Sequence, residues 1–251
     1  DDAKLIVLGG EGADSITAST SVNFGDSISG GAGADTFTIA TGSFTSLDTI
    51  AGGDGDDILT LSDDATIIDT DFTNVTSIKT LATGTDIDLT KLTIGTKASA
   101  AGLSVVDGST HNGIMTVVGE AGFSTALQID LDTALSVDDS VDMSLSSGAI
   151  TVTQEAAHFA SIDVFKGGTG TGDVLKLTAD NGTANITAVT AVETITIVDG
   201  TDKTIGITMG GNDTQIASGK TLVVDGSGLT TTNAFTFTGT ASETDGAVSV
   251  T

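Results

Sequence analysis

The chain contains no cysteine, no proline, no tryptophan and no tyrosine. Without cysteine there is neither a disulfide framework nor a thiolate metal site. Without proline every backbone N–H is free to join a β-ladder. The aromatic residues are 9 phenylalanines, so the ring platform that sugar sites usually recruit is missing. Basic residues are scarce, with 8 Lys+Arg against 34 Asp+Glu and a formal charge of −26. Such a surface repels nucleic-acid phosphates and anionic membranes. No stretch approaches the ~18 apolar residues of a membrane-spanning helix. There is no His-Glu-x-x-His and no Gly-x-Ser-x-Gly. The two histidines, His111 and His158, have no partner cluster legible in the sequence; they read as surface or packing residues, since zinc or catalytic work needs convergent ligands. The opening residues Asp1-Asp2-Ala3-Lys4 do not read as a signal peptide, and the chain reads as a segment or a processed product.

What is present in quantity is glycine, 33 residues of 251, and much of it is ordered. The pattern G-G-x-G-x-D-x-U-x, with U a large apolar residue, occurs without mismatch as GGEGADSIT (Gly9 to Thr17), GGAGADTFT (Gly30 to Thr38) and GGDGDDILT (Gly52 to Thr60). This nonapeptide is the signature of a calcium-binding parallel β-helix. Glycines permit the tight turn and leave carbonyl oxygens uncovered. The aspartate adds a carboxylate, and a hard cation prefers such oxygens. The x-U-x tail is a minimal strand with one side chain turned inward. Degenerate copies, Ser21 to Ser29 and Ser43 to Ala51, keep only D-x-I-x. Residues 21–38 and 43–60 are thus expected to form eighteen-residue coils, interrupted by insertions at Ala18–Thr20 and Ile39–Gly42. Ile16, Ile28, Phe37, Ile50 and Leu59 would stack as an apolar ladder, with Asp14, Asp26, Asp35, Asp48 and Asp57 along the turns.

After Thr60 the pattern loosens but stays β. Short runs such as Ile78-Lys79-Thr80-Leu81 alternate with period two, and the best helical candidate is Gln154 to Ala160. A longer repeat is also legible. GGDGDDILTLSDD from Gly52 resembles GGTGTGDVLKLTAD from Gly167, and VTSIKTLA from Val75 matches VTAVETITI from Val189. The second copy carries an extra residue before Asp173, and weaker calcium binding or none is expected there. The reading is therefore an all-β chain in three parts: a calcium-binding β-roll over 1–60, a first β-solenoid module over 61–166 and a second over 167–251. Paired acids such as Asp56-Asp57, Asp63-Asp64 and Asp138-Asp139 read as cation ligands or solvated turns rather than as a glycosidase pair, which flanks a cleft. Thr-x-Thr runs, as at Thr36-Phe37-Thr38 and Thr236-Phe237-Thr238, read as solvated strand faces rather than an ice-binding array.

The three nonapeptides resemble the repeats-in-toxin (RTX) calcium-binding family, in particular bacterial surface-layer and large extracellular structural proteins. The specific motifs cover about a fifth of the chain, from Gly9 to Thr60. The resemblance implies a right-handed parallel β-roll with Ca²⁺ held between successive turns by the carboxylates of Asp14, Asp35 and Asp57 and carbonyls near Gly10, Gly12, Gly31, Gly33, Gly53 and Gly55. It extends the ligand rows to Asp26 and Asp48. It implies type I secretion and an extracellular location; the missing catalytic motifs make the expectation a segment that is not itself an enzyme. The expected role is calcium-dependent self-assembly into a surface layer, filament or matrix. Partners are then further copies of the chain, with cell-surface polysaccharide as an added contact and no nucleic acid or membrane insertion. The alternatives are an adhesin or ice-binding module of a large RTX protein, or the non-catalytic C-terminal part of an RTX-secreted enzyme.

Overall fold

The computed structural model describes residues 4–18, 25–84, 89–110, 113–131, 138–160, 163–198, 203–210, 215–216, 220–230, 232–239 and 246–251. His111 and the first residues of the degenerate turn at 21–24 lie outside them. The chain winds as a parallel β-solenoid, with strands pairing across successive coils rather than with their neighbours in sequence. One long sheet of 11 strands runs from Ser15–Thr17 to Ala247–Val250. Among the described residues, three shorter sheets of 4, 6 and 3 strands complete the coils. The long sheet crosses Thr60 and Lys166 without a break, because Ile58–Leu61 pairs with Thr80–Thr83 and Ile150–Glu155 with Val174–Thr178.

The inward positions form one continuous apolar column. The residues expected to make a single ladder divide into two. Ile16, Phe37, Leu59 and Leu81 stack in register in the long sheet. Val7, Ile28, Ile50 and Val75 stack in the four-stranded one. Alternate burial along Ile58–Leu61 and Ile150–Glu155 puts every second side chain in the core, as strand geometry requires. Phe44 and Phe72 meet edge-on, with ring centres 5.3 Å apart.

The coils are longer than eighteen residues. The carboxylate hydrogen bonds that join them span 21 residues from Asp14 to Asp35 and 22 from Asp35 to Asp57. The insertion at Ile39–Gly42 therefore belongs to the coil: Ile39 closes the strand Thr36–Ile39 with a buried side chain, and a 3-10 turn follows at Thr41–Ser43; the insertion at Ala18–Thr20 lies mostly outside the described residues. The helix expected over Gln154 to Ala160 is not formed. Gln154 and Glu155 continue a strand that pairs with Leu177 and Thr178, so ladder hydrogen bonds override local helix propensity. The one α-helix among the described residues is Thr96–Ala101. Alanine and lysine favour it, and Gly102 ends it in the left-handed region at φ 95°. Asp69, one coil earlier, accepts from the N–H groups of Gly95, Lys97 and Ala98 at its start.

Candidate metal centre

The three nonapeptide turns lie directly over one another, with Gly10, Gly31 and Gly53 in register. All six glycines expected to offer carbonyls have φ between 97° and 135°, a region open to glycine and strained for other residues. Stacking adds a second requirement. A Cβ on Gly31 would stand 2.1 Å from the Gly10 carbonyl oxygen, and one on Gly53 would stand 2.0 Å from that of Gly31. Gly33 and Gly55 meet the carbonyls of Gly12 and Gly33 in the same way, at 2.4 and 2.2 Å. The carbonyl oxygens of each turn therefore lie against the bare Cα atoms of the next.

The first glycine of each motif has a different reason to be glycine. A Cβ at Gly9, Gly30 or Gly52 would fall 2.4, 1.9 or 2.3 Å from Oδ2 of its own motif aspartate. The carboxylate is folded back into the space that glycine leaves open. Its other oxygen joins the coils: Asp14 N–H donates to Asp35 Oδ1 at 2.8 Å, and Asp35 N–H donates to Asp57 Oδ1 at 2.9 Å. Asp35 and Asp57 are completely buried. Oδ2 of Asp14, Asp35 and Asp57 is shielded from solvent and accepts no hydrogen bond. A buried carboxylate oxygen without a donor is costly, and here the cost recurs at three successive turns. Burial pushes the Asp57 carboxyl up from its ordinary value; the N–H of Asp35 acts against that, and the charges of Asp35, Asp56 and Asp54 add to it. The donors at these corners are all oxygen, of the kind hard divalent cations take.

Asp26 and Asp48 sit in the other row and are differently served. Asp26 Oδ1 accepts from Leu5 N–H at 2.9 Å, and Asp48 Oδ1 accepts from Asp26 N–H at 2.8 Å. Asp48 Oδ2 takes the N–H of Thr45 at 2.7 Å and its hydroxyl at 3.3 Å. The same local loop recurs where Asp163 Oδ2 accepts from Ala160 N–H, with Oδ1 on Asp139 N–H. These carboxylates act as brackets for the backbone. Two kinds of aspartate thus follow one D-x-U-x signature: those of the three intact nonapeptides keep an Oδ2 without a donor, whereas Oδ2 of Asp48 and of Asp163 accepts from a nearby backbone N–H.

The structure also assembles a group that local pattern does not reveal. Glu155, His158 and Asp180 each place one ligand atom within 4.8 Å of the others, the one such cluster of three among the described residues. Asp14, Asp35 and Asp57 stand one per coil and form no cluster of that kind. His158, which reads from the sequence as a packing or surface histidine, has two carboxylate neighbours. The legible signal is the Glu-x-x-His spacing, but Asp180 is a coil away, and strand register alone brings it near. No family model, curated protein or solved structure matches the chain.

Proposed function

We propose that this chain is an extracellular structural protein of the RTX kind, whose first coils fold around Ca²⁺ and which assembles with copies of itself. The observation that carries the reading is the column of buried, donor-less Oδ2 atoms of Asp14, Asp35 and Asp57, each folded into the space left by the first glycine of its motif. A divalent cation between successive turns would supply the missing partner and offset the mutual repulsion of the acids. Net charge −26 favours the same counterion throughout. Extracellular-grade sites bind with dissociation constants of ~10⁻⁴–10⁻³ M, so the corners would stay empty in a calcium-poor cytosol and fill outside. Binding free energy then becomes folding free energy.

An ice-binding or adhesive threonine face has less support. One outward row of the long sheet starts as Thr17, Thr38 and Thr60 but continues as Ala82, Asp107, Asp130, Thr153, Lys176, Thr196 and Asp225. Charges interrupt it, and Thr236 and Thr238 lie in a different sheet. The test is thermal unfolding and negative-stain microscopy of the full chain in calcium and in chelator. Calcium is expected to raise the unfolding temperature and to produce sheets or fibres. Identical melting in the two conditions would refute the reading.

A further inference from the structure

Glu155 ends the strand Ile150–Glu155, and the chain turns through Ala156, Ala157 and His158. Asp180 follows the strand Val174–Thr178 of the next coil. Backbone bonds hold the two segments together: Ala156 N–H donates to the Thr178 carbonyl at 3.0 Å, and Ala157 N–H donates to Asp180 Oδ2 at 2.9 Å. Gly182 N–H donates to Asp180 Oδ1 at 2.8 Å, which pins the carboxylate beside the turn. His158 Nδ1 is buried and makes no hydrogen bond; Glu155 Oε2 stands 3.6 Å away, beyond hydrogen-bond reach. A shielded imidazole nitrogen with no hydrogen bond, next to two carboxylates, is an arrangement that native folds ordinarily avoid.

We propose that Glu155, His158 and Asp180 form a binding site for a divalent transition-metal ion, for which Zn²⁺ is the probe, and that the ion clips these two coils together. One imidazole nitrogen and two carboxylate oxygens make a three-ligand set that leaves room for water, as zinc accepts. Calcium takes oxygen ligands, so the imidazole sets this site apart from the glycine corners. Metal–ligand distances of about 2.0–2.2 Å place the ligands of a tetrahedral ion roughly 3.3 Å apart. His158 and Glu155 are already close to that, and the Glu155 side chain, 44% exposed, is free to swing inward. The clip lies in the half of the solenoid that has no intact nonapeptide, so it does not depend on the calcium reading.

The experiment uses the full chain, stripped with chelator and then supplied with excess calcium. Zinc is titrated in, followed by calorimetry and by the imidazole ¹H–¹⁵N long-range spectrum. With only 2 histidines, His158→Ala assigns both signals. One equivalent of Zn²⁺ is expected to bind, to shift the His158 Nδ1 resonance and leave that of His111 in place, and to raise the unfolding temperature. His158→Ala and Glu155→Gln should each weaken binding at least ~10-fold with the circular dichroism spectrum unchanged. Glu155 keeps the test open should His158→Ala fold poorly. Absence of zinc binding, retention of parental affinity by Glu155→Gln, or loss of binding in His111→Ala would each overturn the proposal.

Discussion

The turn at Gly52–Asp57 and the turn at Gly167–Asp173 are two versions of one corner. Each is followed, a coil later, by a residue forced to positive φ, Ser77 at 54° and Ala191 at 55°. Each of those residues brings its carbonyl against the first glycine, where a Cβ at Gly52 or Gly167 would stand 2.0 or 1.9 Å from it. The N–H of Lys79 and of Glu193 donates to the carbonyl of Asp57 and of Asp173, at 3.1 Å in both. The carboxylates then diverge. Asp57 Oδ2 has no donor. Asp173 Oδ2 accepts from Gly168 N–H at 2.7 Å while its Oδ1 accepts from Ile150 N–H at 2.8 Å. One extra residue before Asp173 accompanies this change, and the turn's own N–H occupies the oxygen that a cation would need. The charge that follows differs too. Lys79 pairs with Asp56 Oδ2 at 2.7 Å, whereas Glu193 Oε2 accepts from Asp173 N–H at 2.8 Å. A corner with a donor-less carboxylate oxygen and a self-satisfied one thus differ by where one N–H points.

The contrast is broken most severely by closing the glycine space. Gly31→Ala sets a Cβ against the Gly10 carbonyl in a backbone region that alanine resists. It should cost about 3 kcal/mol or more and abolish calcium-dependent stabilisation in thermal melts. Gly42→Ala, where a Cβ meets nothing within 4 Å, should melt like the parent. Next comes the carboxylate itself. Asp35→Asn keeps an acceptor for Asp14 N–H but removes the charge that helps raise Asp57. It should lose about 2 kcal/mol of stability in calcium, on the scale of a bond to a charged group, and lose nothing or gain slightly in chelator. Asp173→Asn, by contrast, should change stability equally in both buffers. Equal calcium dependence of the two variants would erase the distinction between the corners.

Acid supplies a smaller effect with a sign that depends on metal. The Asp57 carboxyl is raised in the fold above its ordinary value of 3.8, chiefly by burial. In chelator the folded state therefore holds a proton more tightly than the unfolded chain does. The stability this contributes is fully present below 3.8 and is lost as pH rises through the folded value. In calcium the proton competes with the metal, so acidification should remove stability at the same corner. The Asp57 side-chain carbon resonance, followed by NMR against pH in each buffer, reads this site alone. Least of all, Lys79→Ala removes an exposed ion pair with Asp56 and should change stability by under about 1 kcal/mol, as measured by urea unfolding in chelator.

Much of this molecule is legible before its fold. The buried Ile16, Phe37 and Leu59, the six left-handed glycines and the matching of Val75–Leu81 with Val189–Ile195 all follow from local pattern, because a turn glycine or an alternating strand announces itself within a few residues. Register is not legible in that way. It makes coils of 21 and 22 residues, turns Gln154–Glu155 into a strand, draws a helix at Thr96–Ala101 under the Asp69 carboxylate and places Asp180 beside His158.

The amino-acid order by itself determined that this chain is β, acidic, glycine-cornered and repetitive, since those properties rest on backbone freedom and side-chain type at single positions. Only the tertiary structure decided which aspartates bracket the backbone and which keep an oxygen without a donor. That outcome depends on N–H groups contributed by other turns and coils, and stacking alone brings them within hydrogen-bond range.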